Sequence, residues 1–135
     1  MKLSIIIPIR NEANVIAKSL DLIRNNIKEI NYEVIAVNDF SEDNSYNIID
    51  EIKKENSKIK LFNNKIRGLG GAINLGIEKS TGEAICIMMA DMSDSINDLK
   101  KYYNLIQSEN LSAVFGSRFI KGSSLSGYPI KKLIL

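Results

Sequence analysis

The 135-residue chain has no histidine and a single cysteine, Cys86. Without histidine, Ser-His-Asp triads and His-ligated zinc are both excluded. One cysteine cannot close a disulfide within the chain, which fits a reducing compartment. Cys86 stands inside an apolar run and reads as a small buried hydrophobe rather than a reactive thiol. Only two prolines, with 44% hydrophobic and 25% charged residues, exclude a disordered or fibrous chain. Neither sign of charge dominates: 18 basic and 16 acidic residues leave a formal +2. The basic residues are scattered apart from Lys53-Lys54 and Lys131-Lys132, so no nucleic-acid stripe is present. No apolar run approaches the about 20 residues that a bilayer-spanning helix needs.

What is present is the length for one domain with one core, taken as 1–135. The start, "MKLSIIIPIRNE", breaks at Pro8 and runs into charge without a small-residue cleavage site, so it reads as a strand rather than a signal peptide. The end, "YPIKKLIL", stops in mid-pattern, as expected of a domain truncated at its C-terminus. Apolar runs of strand length recur at 3–9, 33–38, 58–63, 83–89 and 112–117. Several lack strict alternation, the mark of strands covered on both faces. Between them, helical spacing links Val15, Ile16, Leu20 and Ile23; then Ile48, Ile49 and Ile52; then Ala72, Ile73 and Ile77; then Ile96, Leu99, Tyr103 and Ile106. A β-α alternation of this kind predicts an α/β fold, a mainly parallel open sheet with helices on both faces.

In such a sheet ligands bind beyond the carboxyl ends of the strands, and those ends are polar here. The first strand runs into "PIRNEAN", with no glycine and therefore no dinucleotide-type turn. Pro8 can end the ladder and Asn11 can cap the next helix, which leaves Arg10 and Glu12 unexplained. The second ends at Asp39, a turn residue or an acceptor for a base N–H or ribose hydroxyl, with Ser41 or Asp43 as helix cap. The fourth delivers Asp91 after six apolar residues, followed by Ser93, suited to a hard cation, with Asp94 or Ser95 capping the next helix. The fifth ends at Arg118, fit for phosphate or merely a surface arginine, followed by Lys121. The loop 121–127, "KGSSLSG", reads as a lid, an acceptor loop or a solvated surface loop.

The stretches "LSIIIPIRNEANVI", "YEVIAVNDFSEDNS", "RGLGGAINLGIEKSTGEAICIMMADMSDS" and "AVFGSRFIKGS" together resemble the family-2 glycosyltransferases of Rossmann-like GT-A fold. Within that family they are most like the dolichol-phosphate or polyprenol-phosphate mannosyl- and glucosyltransferases. The resemblance implies that Pro8, Arg10, Asn11 and Glu12 border the nucleotide and that Asp39 contacts base or ribose. It implies that Gly68 and Gly70 let the backbone approach the nucleotide. Asp91, the last aspartate of the family's D-x-D, would hold Mg2+ or Mn2+ assisted by Ser93, and Arg118 would face donor or acceptor phosphate. Two positions depart: Met89 replaces the first D-x-D aspartate, which implies either weaker metal affinity or Asp94 as a substitute ligand, and Asn38-Asp39-Phe40 replaces "DDG".

The implied activity is metal-dependent, inverting sugar transfer from GDP-mannose or a UDP-sugar to a polyprenyl phosphate. The implied setting is cytoplasmic, peripheral at the membrane's cytoplasmic face, in building the cell envelope. The alternatives are a family-2 enzyme acting on a sugar hydroxyl in cell-surface polysaccharide synthesis, or a nucleotide-sugar-binding module without catalysis.

Overall fold

Isoleucine-rich Leu3–Ile9 forms the central strand β1, β-branched side chains being suited to a pleated, packed surface. A computed structural model describes residues 1–91 and 93–116. The elements that follow are α1 (Ile16–Asn26), β2 (Tyr32–Asn38), α2 (Ser45–Glu55), β3 (Ile59–Asn63), α3 (Leu69–Lys79), β4 (Ala84–Ile87) and α4 (Ile96–Glu109). The strands form one parallel sheet in the order β3-β2-β1-β4. Chain direction across the sheet therefore reverses between β1 and β4, the place where an open α/β sheet leaves a crevice.

Every residue of β1 and β2 is buried, as runs that are apolar without strict alternation predict. On one face Ile5, Ile7 and Val34 pack with Ile16 and Leu20 of α1, Ile49 of α2 and Leu99 of α4. On the other, Ile6, Ile35 and Val37 meet Ala72 and Leu75 of α3. Each fully buried isoleucine contributes about 1.5–3 kcal/mol. Helix α3 sits this close because of Gly76, where a Cβ would lie 2.3 Å from Ile6 Cγ2.

At the opposite end from the crevice, Glu33 is 3% exposed. It accepts from Lys60 Nζ at 2.8 Å, Lys2 Nζ at 3.0 Å, Ser4 Oγ at 2.7 Å and the Thr81 N–H at 2.6 Å. One carboxylate thus joins β1, β2, β3 and the turn leading into β4. Burial alone would raise its pKa, but the hydrogen bonds from Lys60, Ser4, Thr81 and Lys2 outweigh it and hold it well below the usual range.

Two strand expectations need correction. β4 is shorter than 83–89 and is not covered on both faces among the described residues: Ile85 and Ile87 are 42% and 46% exposed. On that face α3 packs over β1 and β2, and among the described residues β4 is the last strand on its side of the sheet. The Met88 N–H still donates to the Ile6 carbonyl at 2.9 Å before the chain turns at Ala90-Asp91. The fifth strand does not form over 112–116, where Phe115 is 90% exposed and supplies no burial to hold it to a sheet. Cys86 is half-buried, its thiol pushed up to about 11 by burial and by the charge of Asp94, so it stays protonated and inert.

Candidate active site

The strand ends meet around a cleft of about 260 Å³ lined by Pro8, Ile9, Arg10, Glu12, Asp39, Gly68, Leu69, Met89, Ala90 and Asp91. Sheet order gives it a direction. Asp39 and Gly68 stand at the β2 and β3 side, the Pro8–Glu12 turn lies in the middle, and Asp91 stands beyond β4.

The middle is built by zippering two turns together. The Asn11 N–H donates to Ser41 Oγ at 3.1 Å, and the Glu42 N–H donates to Asn11 Oδ1 at 2.8 Å. The Glu12 N–H donates to Ser45 Oγ at 2.8 Å, and the Ala13 N–H to Asp43 Oδ2 at 2.9 Å. Asn11 and Phe40 both take left-handed backbone conformations, φ 58° and 55°. Asparagine tolerates this region, whereas for phenylalanine it is strained. Asn11 therefore does not cap α1, whose N-terminal residue Val15 makes no side-chain cap. Asp43 instead ends the second turn, its Oδ1 accepting the Ser45 N–H at 2.9 Å.

At the β2 end, Asp39 is 4% exposed. The Gly68 N–H donates to its two oxygens at 2.9 and 3.1 Å, and Asn64 Nδ2 donates to Oδ1 at 2.7 Å. Gly68 has φ 117°, a conformation open to glycine and costly for other residues. Asn64, 7% exposed, was not legible in the sequence, because an asparagine after a strand signals only a turn.

At the β4 end, the Ser93 N–H donates to Asp91 Oδ1 at 2.9 Å. Asp94 Oδ2 accepts the Met89 N–H at 2.7 Å, which closes the loop, and Ser95 is the cap of α4, accepting from the Asp98 N–H at 3.3 Å. The loop is tied to α1 by Ser19 Oγ, which donates to the Ala90 carbonyl at 2.7 Å. Burial, then the negative charges of Asp91 and Asp43, raise the pKa of Glu12, so Glu12 and Asp91 feel one another across the cleft.

Of the residues singled out by sequence, Pro8, Arg10, Glu12, Asp39, Gly68 and Asp91 line the cleft. Asn11, Gly70 and Ser93 do not. Arg118, Lys121 and the loop 121–127 lie outside the described residues. Among the described residues, no group of three or more acidic, cysteine or histidine side chains could hold a metal by itself. The donor set nevertheless fits the common mode for Mg2+ or Mn2+, in which one or two carboxylates share the ion with substrate phosphates and water.

The family profile for glycosyl transferase family 2 matches residues 4–134. The chain belongs to that family. It is 29% identical over 135 residues to a dolichol-phosphate mannosyltransferase of Pyrococcus furiosus, covering 99% of this chain but 38% of that protein. The mannosyltransferase PcManGT of Pyrobaculum calidifontis, in complex with GDP-Man and Mn2+, superposes with a TM-score of 0.63 at 25% identity, covering 77% of this chain and 32% of that one. TarS of S. aureus in complex with UDP gives 0.69 at 19% identity, covering 90% and 40%, a likeness of fold alone. The fold is that of the GT-A glycosyltransferases, and the chain spans less than half the length of these relatives.

Proposed function

We propose that this family-2 member transfers a sugar, with inversion, from a nucleoside-diphosphate sugar to a polyprenyl phosphate. The observation that carries the reading is the pair of carboxylates at opposite ends of one cleft, Asp39 and Asp91. Their strands flank β1, and two strand spacings separate the strand ends by about 10 Å. That span suits a nucleoside at Asp39 and a diphosphate at Asp91, with Pro8, Arg10 and Glu12 between. Gly68 opens the start of α3 to the nucleotide, and Asn11, which like Gly70 lies outside the cleft lining, acts by fixing the Arg10–Glu12 turn.

Asp91 would hold Mg2+ or Mn2+, its carboxylate oriented by the Ser93 N–H. Bound there, the ion supplies Lewis-acid neutralisation of the departing diphosphate. A phosphate oxygen of the acceptor attacks the anomeric carbon as the bond to the diphosphate oxygen breaks, which inverts that centre. A polyprenyl phosphate is already an anion at neutral pH, so no general base is needed, in keeping with a chain that has no histidine. Arg118 is assigned to donor or acceptor phosphate on the family resemblance. The name of the Pyrococcus relative supports the lipid-phosphate acceptor, and the GDP-Man and Mn2+ of the Pyrobaculum complex support a nucleoside-diphosphate-sugar donor, whatever its base, and a divalent metal. Such an acceptor is held in a bilayer, which sets the protein at a membrane surface on the cytoplasmic side. No helix among the described residues is long and apolar enough to cross a membrane.

Calorimetric titration of the protein and of Asp91→Asn with UDP and GDP, with and without Mn2+, tests the reading. Loss of the Mn2+-dependent part of binding in the variant is expected. Unchanged metal dependence removes Asp91 from the role, and absence of nucleotide binding by the unsubstituted protein removes the reading.

A further inference from the structure

We propose that the base subsite accepts a single hydrogen-bond donor and selects uracil over guanine, because Asn64 and Gly68 already fill one oxygen of Asp39. The inference rests on the nucleotide reading above and adds to it which nucleotide is taken.

A carboxylate oxygen offers two acceptor positions. Oδ1 of Asp39 uses both: Asn64 Nδ2 donates at 2.7 Å and the Gly68 N–H at 2.9 Å. Oδ2 receives only the longer branch of the Gly68 bond, at 3.1 Å. One acceptor position, on Oδ2, is left for a ligand. The orientation of the Asn64 amide follows from chemistry, since Nδ2 also donates to the Ile66 carbonyl at 2.6 Å while Oδ1 accepts the Ile66 N–H at 3.3 Å. Reversing the amide would set its oxygen against three acceptors, Asp39 Oδ1 and the Ile66 and Gly68 carbonyls.

The arrangement is also stiff. Asp39 and Asn64 are 4% and 7% exposed, and Asp39 cannot turn a second oxygen to the cleft without breaking bonds to both partners. The loop that carries Ile66 and Gly68 is pressed against α3, where a Cβ on Gly71 would stand 2.0 Å from the Ile66 oxygen.

The bases differ in what they ask of such a group. Guanine presents two adjacent donors, N1–H and an N2–H, which a carboxylate satisfies with both oxygens. Uracil presents one, N3–H. Adenine and cytosine place an acceptor nitrogen beside their amino donor, and a carboxylate offers acceptors rather than a matching donor. At a buried group the unmatched donor of guanine loses water without gaining a partner, a penalty that reads out as about tenfold or more in affinity.

The test is titration of the full chain with UDP and GDP in the presence of Mn2+, followed by the same pair on Asn64→Ala. UDP is expected to bind at least about tenfold tighter. Asn64→Ala frees a position on Oδ1, so it should weaken UDP and bring the two nucleotides to within about threefold. The ratio in the unsubstituted protein carries the test even where the variant does not fold. Equal or tighter binding of GDP overturns the inference and leaves the nucleotide reading standing, as would a ribose at Asp39 showing no preference for base. Binding of neither nucleotide overturns both.

Discussion

Ser19 and Ala90, on elements far apart in the chain, meet in the core where the Ser19 hydroxyl donates to the Ala90 carbonyl at 2.7 Å. They are 6% and 2% exposed, so no water replaces that bond if it is lost. The contact fixes the last residue before Asp91 to α1, and α1 in turn is packed on β1. A helix that contributes nothing to the cleft lining thereby sets the height of the Asp91 carboxylate.

Ser19→Ala should cost about 1–2 kcal/mol of stability, the penalty for an orphaned buried carbonyl. Urea denaturation measures that part. The loop that it loosens carries Asp91 and not Asp39, so Mn2+-dependent nucleotide affinity should fall while metal-free affinity holds. An equal loss in both would mean that Ser19 supports the fold without positioning Asp91.

The sequence makes visible what repeats along the chain. Val15, Ile16, Leu20 and Ile23 at helical spacing mark α1, because burial of one helix face leaves a period, and the run at Leu3–Ile9, apolar except at Ser4, marks a strand covered on both faces. The strand-end carboxylates Asp39 and Asp91 are legible too, since a charge at the end of an apolar run stands out. Partners across the sheet leave no period. Asn64 meets Asp39 across 25 residues and Ser19 meets Ala90 across 71, and neither pairing is coded in local spacing. Asn11 misleads for a related reason: asparagine suits both a helix cap and a left-handed turn, and only the neighbouring turn, through the Glu42 N–H, decides between them. β4 misleads in length, because the apolar run 83–89 continues past its last strand residue, Ile87, toward the turn at Ala90-Asp91.

Glu33 predicts an acid-sensitive fold. Its folded pKa lies below the ordinary value of 4.5, so the folded state holds the ionised form more tightly than the unfolded chain does. That stabilisation is fully present above about pH 5 and fades as pH falls below the ordinary carboxylate range. Glu33→Gln should be less stable by about 1–3 kcal/mol at pH 7, since the amide keeps one acceptor oxygen but loses the charge and sets its NH2 against either Lys2 and Lys60 or Ser4 and Thr81. Its stability should then decline less than that of the unsubstituted protein between about pH 5 and pH 3. Urea melts across that range give the two curves. Convergence toward low pH is expected, and parallel curves would assign the acid sensitivity to other carboxylates.

Met89 offers the converse experiment, a gain rather than a loss. Its side chain lines the cleft and is 39% exposed, and the bond to Asp94 uses only its backbone N–H. Met89→Asp therefore leaves the loop closure and the core intact. Met89 and Asp91 both line the cleft, so the new carboxylate joins Asp91 there. Without a cation it adds like charge next to Asp91 and Glu12, whose pKa already rises under burial and the charge of Asp91. The melting temperature should then fall in EDTA. With Mn2+ and a nucleoside diphosphate the sign reverses, because a hard ion gains a second carboxylate oxygen, and Mn2+ affinity should rise about tenfold, some 1.4 kcal/mol. Thermal shifts with EDTA and with Mn2+ read both halves. If Mn2+ fails to restore what the added charge removed, the ion is not held on the Asp91 side of the cleft.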